Sequence, residues 1–130
     1  MKRHMRIAVV GIAGLLAACS AAPHPANGEK VKVRDAVVEM AMMELALDDF
    51  QADVGRYPTE SEGLAALEVR PPGEDKWAGP YRKVKKDPWG RDFIYHFPAT
   101  HNNGGVDLLS PGPDGKEGTS DDVGSWPEGK

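Results

Sequence analysis

Apolar side chains recur at intervals of three and four residues between Lys30 and Val54, which is the period of one face of an α-helix. No glycine or proline interrupts this segment, and Gly55 then supplies the residue type that commonly ends a helix. The pattern predicts a long helix on which the rest of the chain packs. Its predicted core face consists of Ala36, Met40, Met43, Leu47, Phe50 and Val54. The residues predicted to widen this apolar stripe are Val38, Met42 and Leu45.

The chain after Gly55 is rich in glycine and proline, which excludes a second long helix. Residues 60–69 are predicted to form a short helix, because Thr59 is a suitable N-cap and Glu62 stands at the capping-box position. The Pro-Pro-Gly sequence at 71–73 ends it. The residues that this helix would bury are Leu64 and Leu67.

Two later segments have the pattern of β-strands. Aromatic residues alternate over Phe93–Phe97, and a second apolar run covers Val106–Leu109. The loop between them, 98–105, contains Asn-Asn-Gly-Gly, so we expect an antiparallel hairpin. Asp87-Pro88-Trp89-Gly90 has the residue order of a β-turn. The predicted fold class is α+β, with a long N-terminal helix packed on a small antiparallel sheet.

The N-terminus has the organisation of an export signal. Basic residues precede an apolar run at 7–16 that is too short to span a bilayer permanently, and Leu16-Ala17-Ala18-Cys19 closes it. This ending resembles the lipobox of bacterial lipoproteins. We therefore predict a signal peptide at 1–18 and lipidation of Cys19; the alternative is an apolar leader with an incidental cysteine. Residues 19–29 are predicted to be a tether and residues 30–130 the globular domain.

These features predict a location in the bacterial cell envelope, lipid-anchored and facing the periplasm. Ser20, rather than aspartate, follows the predicted lipidated cysteine. This resembles the outer-membrane sorting class, so the outer membrane is favoured over the inner one.

The chain is acidic, with a formal net charge of −4, and residues 19–130 hold 13 Lys and Arg against 20 Asp and Glu. This balance argues against a nucleic-acid partner. Motifs of metalloproteases, serine hydrolases and phosphate-binding loops are missing from the sequence, so we expect neither an enzyme nor a small-molecule substrate. His96 and His101 are interpreted as structural or solvated. Cys19 is the only cysteine, so a disulfide within the domain is excluded. Small exported domains usually need a cross-link besides their core, and a bound metal ion could supply it.

The predicted helix also has an acidic face, formed by Asp35, Glu39, Glu44, Asp48, Asp49 and Asp53. Like charges four residues apart weaken a helix, so this face is interpreted either as solvated or as a surface for a basic partner. A basic cluster follows later, formed by Arg82, Lys83, Lys85 and Lys86. Four basic residues in an acidic domain are a weak signal for nucleic acid or anionic lipid, and a solvated loop is favoured over that interpretation. The third possibility is a patch that meets the acidic face of a neighbouring subunit. The candidate interaction residues are Glu44, Asp48, Arg82 and Lys83.

The C-terminal segment 108–126 has no helical or strand period and is predicted to be a loop. It holds four acids within nine residues: Asp114, Glu117, Asp121 and Asp122. Carboxylates on a flexible loop are typical ligands of Ca²⁺. A structural calcium site is therefore one hypothesis, and a solvated acidic tail is the other.

Five motifs occur in a single order, at 55–59, 62–67, 77–81, 86–90 and 107–126. They read GRYPT, EGLAAL, WAGPY, KDPWG and the acidic tail that ends in GSW. In this order the chain resembles the major pseudopilin of type II secretion systems, the G protein of the pseudopilus. The resemblance implies a pseudopilin domain made of a long helix, a short second helix and a small antiparallel sheet. It also implies a structural calcium ion.

The ligand positions of that family fall on the carboxylates of Asp114, Asp121 and Asp122, with a backbone carbonyl near Pro111. Glu117 is less firmly placed and adds negative potential. We therefore expect a non-enzymatic, calcium-stabilised lipoprotein domain. Its expected partners are proteins of a type II secretion apparatus, further copies of itself, and the membrane through the lipid anchor. Two alternatives remain: a calcium-binding envelope lipoprotein without a secretion role, and a genuine pseudopilus subunit with an atypical leader.

Overall fold

The computed structural model describes residues 25–127, so the predicted signal peptide, Cys19 and the first part of the tether lie outside the described residues. Helix α1 runs from Pro25 to Val54. It begins five residues before the predicted start at Lys30, so the end of the predicted tether is helical. Gly55 ends the helix as predicted, with a positive φ of 89° and an N–H that bonds the Gln51 carbonyl at 2.8 Å.

The short second helix is present but smaller than predicted. It is a 3₁₀ helix over Gly63–Leu67 rather than an α-helix over 60–69. Gly63 has a positive φ of 58°, which no right-handed helix continues through, so the segment before it is a separate turn. Thr59 Oγ1 accepts the N–H of Glu62 at 3.2 Å, which is the predicted capping-box bond, but this bond closes the turn before Gly63. The N-cap of the 3₁₀ helix is Glu62 rather than the predicted Thr59. Leu64 and Leu67 are buried as predicted.

Within residues 25–127, three strands form one antiparallel sheet in the order β1-β2-β3. Strand β1 covers Ile94–His96, β2 covers Asp107–Ser110 and β3 covers Val123–Gly124. The predicted hairpin is confirmed, with Tyr95 opposite Leu108. The predicted turn before it is confirmed by a 2.9 Å bond from the Gly90 N–H to the Asp87 carbonyl. Strand β3 was not predicted, because two residues among glycines and acids give no period to detect.

The core lies between the buried face of α1, the 3₁₀ helix and the sheet. Ala36, Met40, Met43, Leu47 and Phe50 are buried in it, as the helical period predicts. Val38, Met42 and Leu45, which were predicted to widen the same stripe, are instead 56%, 43% and 60% exposed. They point away from the sheet, because three short strands cover only one side of α1.

Buried hydrogen bonds close the sides of this core. The Tyr95 hydroxyl donates to the Pro58 carbonyl at 2.7 Å, and the Trp77 indole donates to the Ala66 carbonyl at 2.8 Å. Arg56 bonds Glu74 at 2.5 Å and also bonds Glu62, which ties the segments on either side of the 3₁₀ helix together. Irregular segments are thereby fixed without regular secondary structure.

Two leucines of α1 allow a matched test of this arrangement. Leu47→Ala should lower the free energy of unfolding by about 2–5 kcal/mol, because the side chain is fully buried and leaves a cavity. Leu45→Ala removes the same atoms from the same helix at an exposed position, so we expect a change within about 0.5 kcal/mol. Chemical denaturation of the full chain measures both. Equal losses would contradict the described orientation of α1.

Candidate metal site in the C-terminal loop

Three aspartates of the C-terminal loop lie together. One carboxylate oxygen from each of Asp114, Asp121 and Asp122 lies within 4.8 Å of the other two. The loop folds back to achieve this, since the backbone N–H of Asp114 donates to Asp121 Oδ2 at 3.0 Å. Three negative charges at this separation repel one another unless cations or protons lie between them. We name this group the aspartate triad.

Hydrogen bonds within the loop orient the triad. Asp122 Oδ2 accepts the N–H of Gly118 at 2.6 Å, and Asp114 Oδ1 accepts a backbone N–H at 2.8 Å. The Thr119 hydroxyl donates to Asp121 Oδ1. This bond, with the backbone N–H of Asp114, lowers the pKa of Asp121 below its ordinary value. Asp121 is therefore held in the charged form that a cation binds.

Gly112 lets the start of the loop approach the triad. Its φ is +67°, and a Cβ placed there would lie 2.3 Å from the Asp121 carbonyl oxygen and 3.2 Å from its carboxyl carbon. A larger residue would therefore force the two ends of the loop apart. The closure of the loop around the triad depends on this glycine.

A buried carboxylate anchors the first end of the loop. Asp87 Oδ1 accepts the N–H groups of Trp89 at 3.0 Å and Arg91 at 2.8 Å. Its Oδ2 accepts the Ser110 hydroxyl at 2.6 Å, and Ser110 Oγ in turn accepts the N–H of Gly112 at 3.1 Å. The turn before β1 thus fixes where β2 ends and the loop begins.

Arg91 holds the same end from outside. Its guanidinium donates to the carbonyls of Gly112 at 3.0 Å and Pro113 at 3.1 Å. A Cβ on Gly115 would lie 2.2 Å from the Arg91 side chain, so this side chain occupies the space next to the loop. Sequence reasoning missed Arg91, because 21 residues separate it from Gly112. Its position directly after the predicted turn was the only available signal.

The second end of the loop is fixed by the sheet. Val123 pairs with Ser110 and Gly124 with Leu109 in the β2–β3 ladder. The Ser125 N–H then donates to the Leu108 carbonyl at 2.9 Å. Both ends of the loop are therefore attached to β2, the central strand.

Trp126 completes this attachment by stacking on His101. The ring centroids are 3.8 Å apart and the planes differ by 6°. His101 Nδ1 lies 3.0 Å from the buried Asp107 carboxylate, which also accepts the N–H groups of Thr100, His101 and Asn102. Burial alone would raise the pKa of Asp107, but these hydrogen bonds lower it to about 2. His101 was predicted to be either structural or solvated, and its contacts with Asp107 and Trp126 give it a structural role.

Pro111, the fourth predicted ligand, and Glu117, the fourth acid of the loop, are placed differently. Pro111 is buried at the start of the loop, beside Gly112, and a metal-binding role for its carbonyl stays a prediction. Glu117 lies outside the triad, because its carboxylate bonds His96 Nε2. Of the four acids of the loop, three converge and one points to the body of the domain.

The predicted interaction residues make contacts within the chain. Glu44 is half-buried, and this burial raises its pKa. Asp48 accepts the Tyr57 hydroxyl at 2.9 Å. Arg82 pairs with Glu39 of α1 at 2.6 Å, so part of the expected pairing between the basic cluster and the acidic face occurs inside one subunit. Lys83 is exposed.

The family model for "Type II secretion system (T2SS), protein G" matches residues 25–126. The chain belongs to this protein G family. The chain is 39% identical over 124 residues to type II secretion system core protein G of Escherichia coli K12, a match that covers 91% of this chain and 83% of that protein. The protein G of Pectobacterium carotovorum is 37% identical over 123 residues, covering 91% and 78%. That of Pseudomonas aeruginosa is 37% identical over 126 residues, covering 91% and 87%.

A solved pseudopilin confirms the predicted fold. The crystal structure of the major pseudopilin from the type 2 secretion system of enterohaemorrhagic Escherichia coli superposes with a TM-score of 0.71 at 33% identity. The match covers 82% of this chain and 96% of that one. The chain is thus a pseudopilin domain of a secretion machinery, located in the cell envelope and facing the periplasm. Pseudopilins are structural components rather than enzymes. Within residues 25–127, α1 is not apolar enough along its length to cross a membrane.

The buried Asp107 predicts a specific acid sensitivity. Its native pKa of about 2 lies below the ordinary value near 3.9, so its ionised form stabilises the fold above about pH 4. This stabilisation is lost as the pH falls towards 2. Asp107→Asn should lower the free energy of unfolding at pH 7 by about 1–3 kcal/mol, because buried N–H groups lose their anionic acceptor.

The variant should also show a shallower loss of stability between pH 4 and pH 2 than the wild type. Urea denaturation across this range measures both quantities. A variant with the wild-type pH slope would contradict the role given to the Asp107 carboxylate.

Proposed function

We propose that this domain is a calcium-stabilised structural subunit of a type II secretion apparatus. The aspartate triad carries this proposal, because it offers three anionic oxygen ligands from one loop. Ca²⁺–oxygen distances of about 2.3–2.6 Å allow two ligands of the same ion to lie as far apart as the 4.8 Å limit of the triad. The donor set also fits the ion, since hard cations prefer carboxylate oxygens.

A bound calcium ion would supply a doubly positive charge that turns the mutual repulsion of the triad into a cross-link. Asp114, Asp121 and Asp122 would hold it, and the Pro111 carbonyl is proposed as a further ligand. The chain's own residues prepare the site. Thr119 orients Asp121, and Asp87 with Ser110 fixes the entry to the loop.

The surface of α1 supports a role in protein contacts. Among the residues that the structure describes, six of the seven exposed large apolar residues belong to α1: Val31, Val33, Val37, Val38, Met42 and Leu45. Apolar residues grouped along one exposed helix are typical of protein interfaces. The exposed acids nearby, such as Asp35 and Asp49, would select a partner with basic residues. We propose that this surface meets other components of the secretion apparatus or further copies of the domain.

A role outside secretion is not favoured by the protein G relatives. The two versions of a secretion role differ in the N-terminal segment. The lipobox-like ending at Cys19 supports a lipid-anchored subunit, with the outer membrane favoured. A filament subunit with an atypical leader is the second candidate. One observation favours it: the match to the Escherichia coli protein covers 91% of the chain, more than residues 25–126, and so includes part of the N-terminal segment.

Calcium should raise the melting temperature of the purified full chain, because a ligand that binds only the folded state stabilises it. When the free calcium concentration is a hundred times the dissociation constant, binding raises the free energy of unfolding by about 2.7 kcal/mol. Asp121→Ala and Asp122→Ala should abolish the response. Asp35→Ala removes one exposed aspartate from α1 and should leave it intact.

Differential scanning calorimetry with added calcium or EDTA measures the effect. Equal melting temperatures of the wild type in calcium and in EDTA would contradict the proposed calcium binding. The family membership would be untouched by that result.

The lipid anchor has an independent test. Cys19→Ser should move the protein from the membrane fraction to the soluble periplasmic fraction, because serine cannot accept the lipid. A matched substitution of the neighbouring Ser20 by alanine should leave fractionation unchanged. Membrane association of the Cys19→Ser variant would contradict lipidation and favour a leader that is itself the anchor.

A further inference from the structure

His96 lies between two glutamates from different parts of the chain. Its Nδ1 is 2.6 Å from Glu60 Oε1, and its Nε2 bonds Glu117 Oε1. His96 belongs to β1, Glu60 precedes the 3₁₀ helix, and Glu117 stands near the middle of the C-terminal loop. The His96 side chain is 34% exposed, so the arrangement is accessible to protons from solvent.

Both contacts require the imidazolium form. An ionised carboxylate only accepts hydrogen bonds, and a neutral imidazole has a single N–H. Only a protonated ring can donate from Nδ1 to Glu60 and from Nε2 to Glu117 at once. Loss of the proton would leave one ring lone pair against a carboxylate oxygen. One of the two contacts must then open.

The groups around His96 favour its charged form. Glu117 and then Glu60 raise its pKa above the ordinary histidine value, while partial burial opposes this. On β2, Asp107 pairs across from His96, with its carboxylate engaged by the 100–102 loop. The triad on the C-terminal loop adds further negative charge, and Lys116 next to Glu117 is exposed.

We propose that His96 is a pH-sensitive clamp that ties the C-terminal loop to the turn before the 3₁₀ helix when protonated and releases it when neutral. The two ends of the loop are fixed to β2 and to the turn before β1, whereas Glu117 connects its middle. The clamp therefore controls the central part of the loop without unfolding its ends. It does not depend on a metal, since Glu117 lies outside the triad.

The direction of the pH effect follows from the raised pKa. The contribution to stability is complete below the unfolded-state pKa near 6.5 and is lost as the pH rises through the higher native pKa. Mild acid closes the clamp and alkaline conditions open it. This is opposite in sign to the effect of Asp107, which weakens the fold at low pH.

NMR titration of the full chain between pH 5 and pH 9 tests the clamp directly. The His96 ring should titrate above the ordinary histidine value, and the amides of residues 116–118 should shift with the same midpoint. Glu117→Gln should lower the ring midpoint and end the response of these amides. Glu60→Gln should lower the ring midpoint but keep the amides coupled to it. The proposal would be overturned if the His96 ring titrated with a midpoint at or below the ordinary histidine value. It would also be overturned if the amide shifts of residues 116–118 did not follow the His96 titration.

Trypsin cleavage after Lys116 gives a second measurement. At pH 6, His96→Gln should be cut about two- to fivefold faster than the wild type, the range expected for a partly exposed charged pair. At pH 9 the two rates should converge, with each rate normalised to an unstructured reference peptide. Equal rates at pH 6 would overturn the clamp.

Both experiments are run once with calcium and once with EDTA. A clamp that functions in either buffer supports the proposal, and failure in both refutes it. A failed calcium site would appear as identical melting in the two buffers, so the two ideas are separable.

Discussion

The buried face of α1 is the constraint on which the rest of the domain depends. The sheet that covers it consists of strands of three, four and two residues, which is too little β-structure to hold the later half of the chain by backbone pairing. The polypeptide after Gly55 instead lies against Met40, Met43, Leu47 and Phe50, and polar side chains fix its irregular segments. Because three short strands cover one side of the helix, apolar side chains on the other side remain exposed.

Buried carboxylates hold several segments that backbone pairing in the small sheet does not hold. Asp87 gathers two N–H groups and one hydroxyl, and Asp107 gathers the N–H groups of the 100–102 loop. An isolated buried charge is costly, but each of these is surrounded by donors. Ser110 links the first carboxylate to Gly112, and the pairing of Ser110 with Val123 links the same strand to the far end of the loop. The contacts at the two ends of the C-terminal loop therefore determine its shape.

The parts of the fold with a clear period were predictable from the sequence. The core face of α1 and the hairpin follow from spacings of 3.6 and 2 residues. The prediction that Val38, Met42 and Leu45 widen the core face was wrong, since all three are exposed. The helical period identifies apolar positions, but it does not show how much of the helix surface the rest of the chain covers. The 3₁₀ helix and β3 were misjudged or missed, since short elements depend on contacts distant in the sequence.

The convergence of the three aspartates was predictable from the sequence, and the residues that support the loop were not. Carboxylate-rich loop composition and family resemblance point to Asp114, Asp121 and Asp122, and the structure brings these three together. Arg91, Asp87 and Gly112 act through partners more than twenty residues away or through a close backbone approach. Nothing in the local sequence distinguishes such residues from ordinary loop residues.

The separation of Glu117 from the triad divides the acids of one loop into two groups with different neighbours. Four carboxylates in nine residues would repel strongly if they all faced one point, since each pair interacts at short range. The loop divides them: three face one another, and the fourth faces an imidazole on β1. A divalent cation would neutralise the first group and a proton on His96 neutralises the second. Calcium and pH would thus act on different points of the same loop, and each would stiffen a segment whose ends the buried carboxylates already hold.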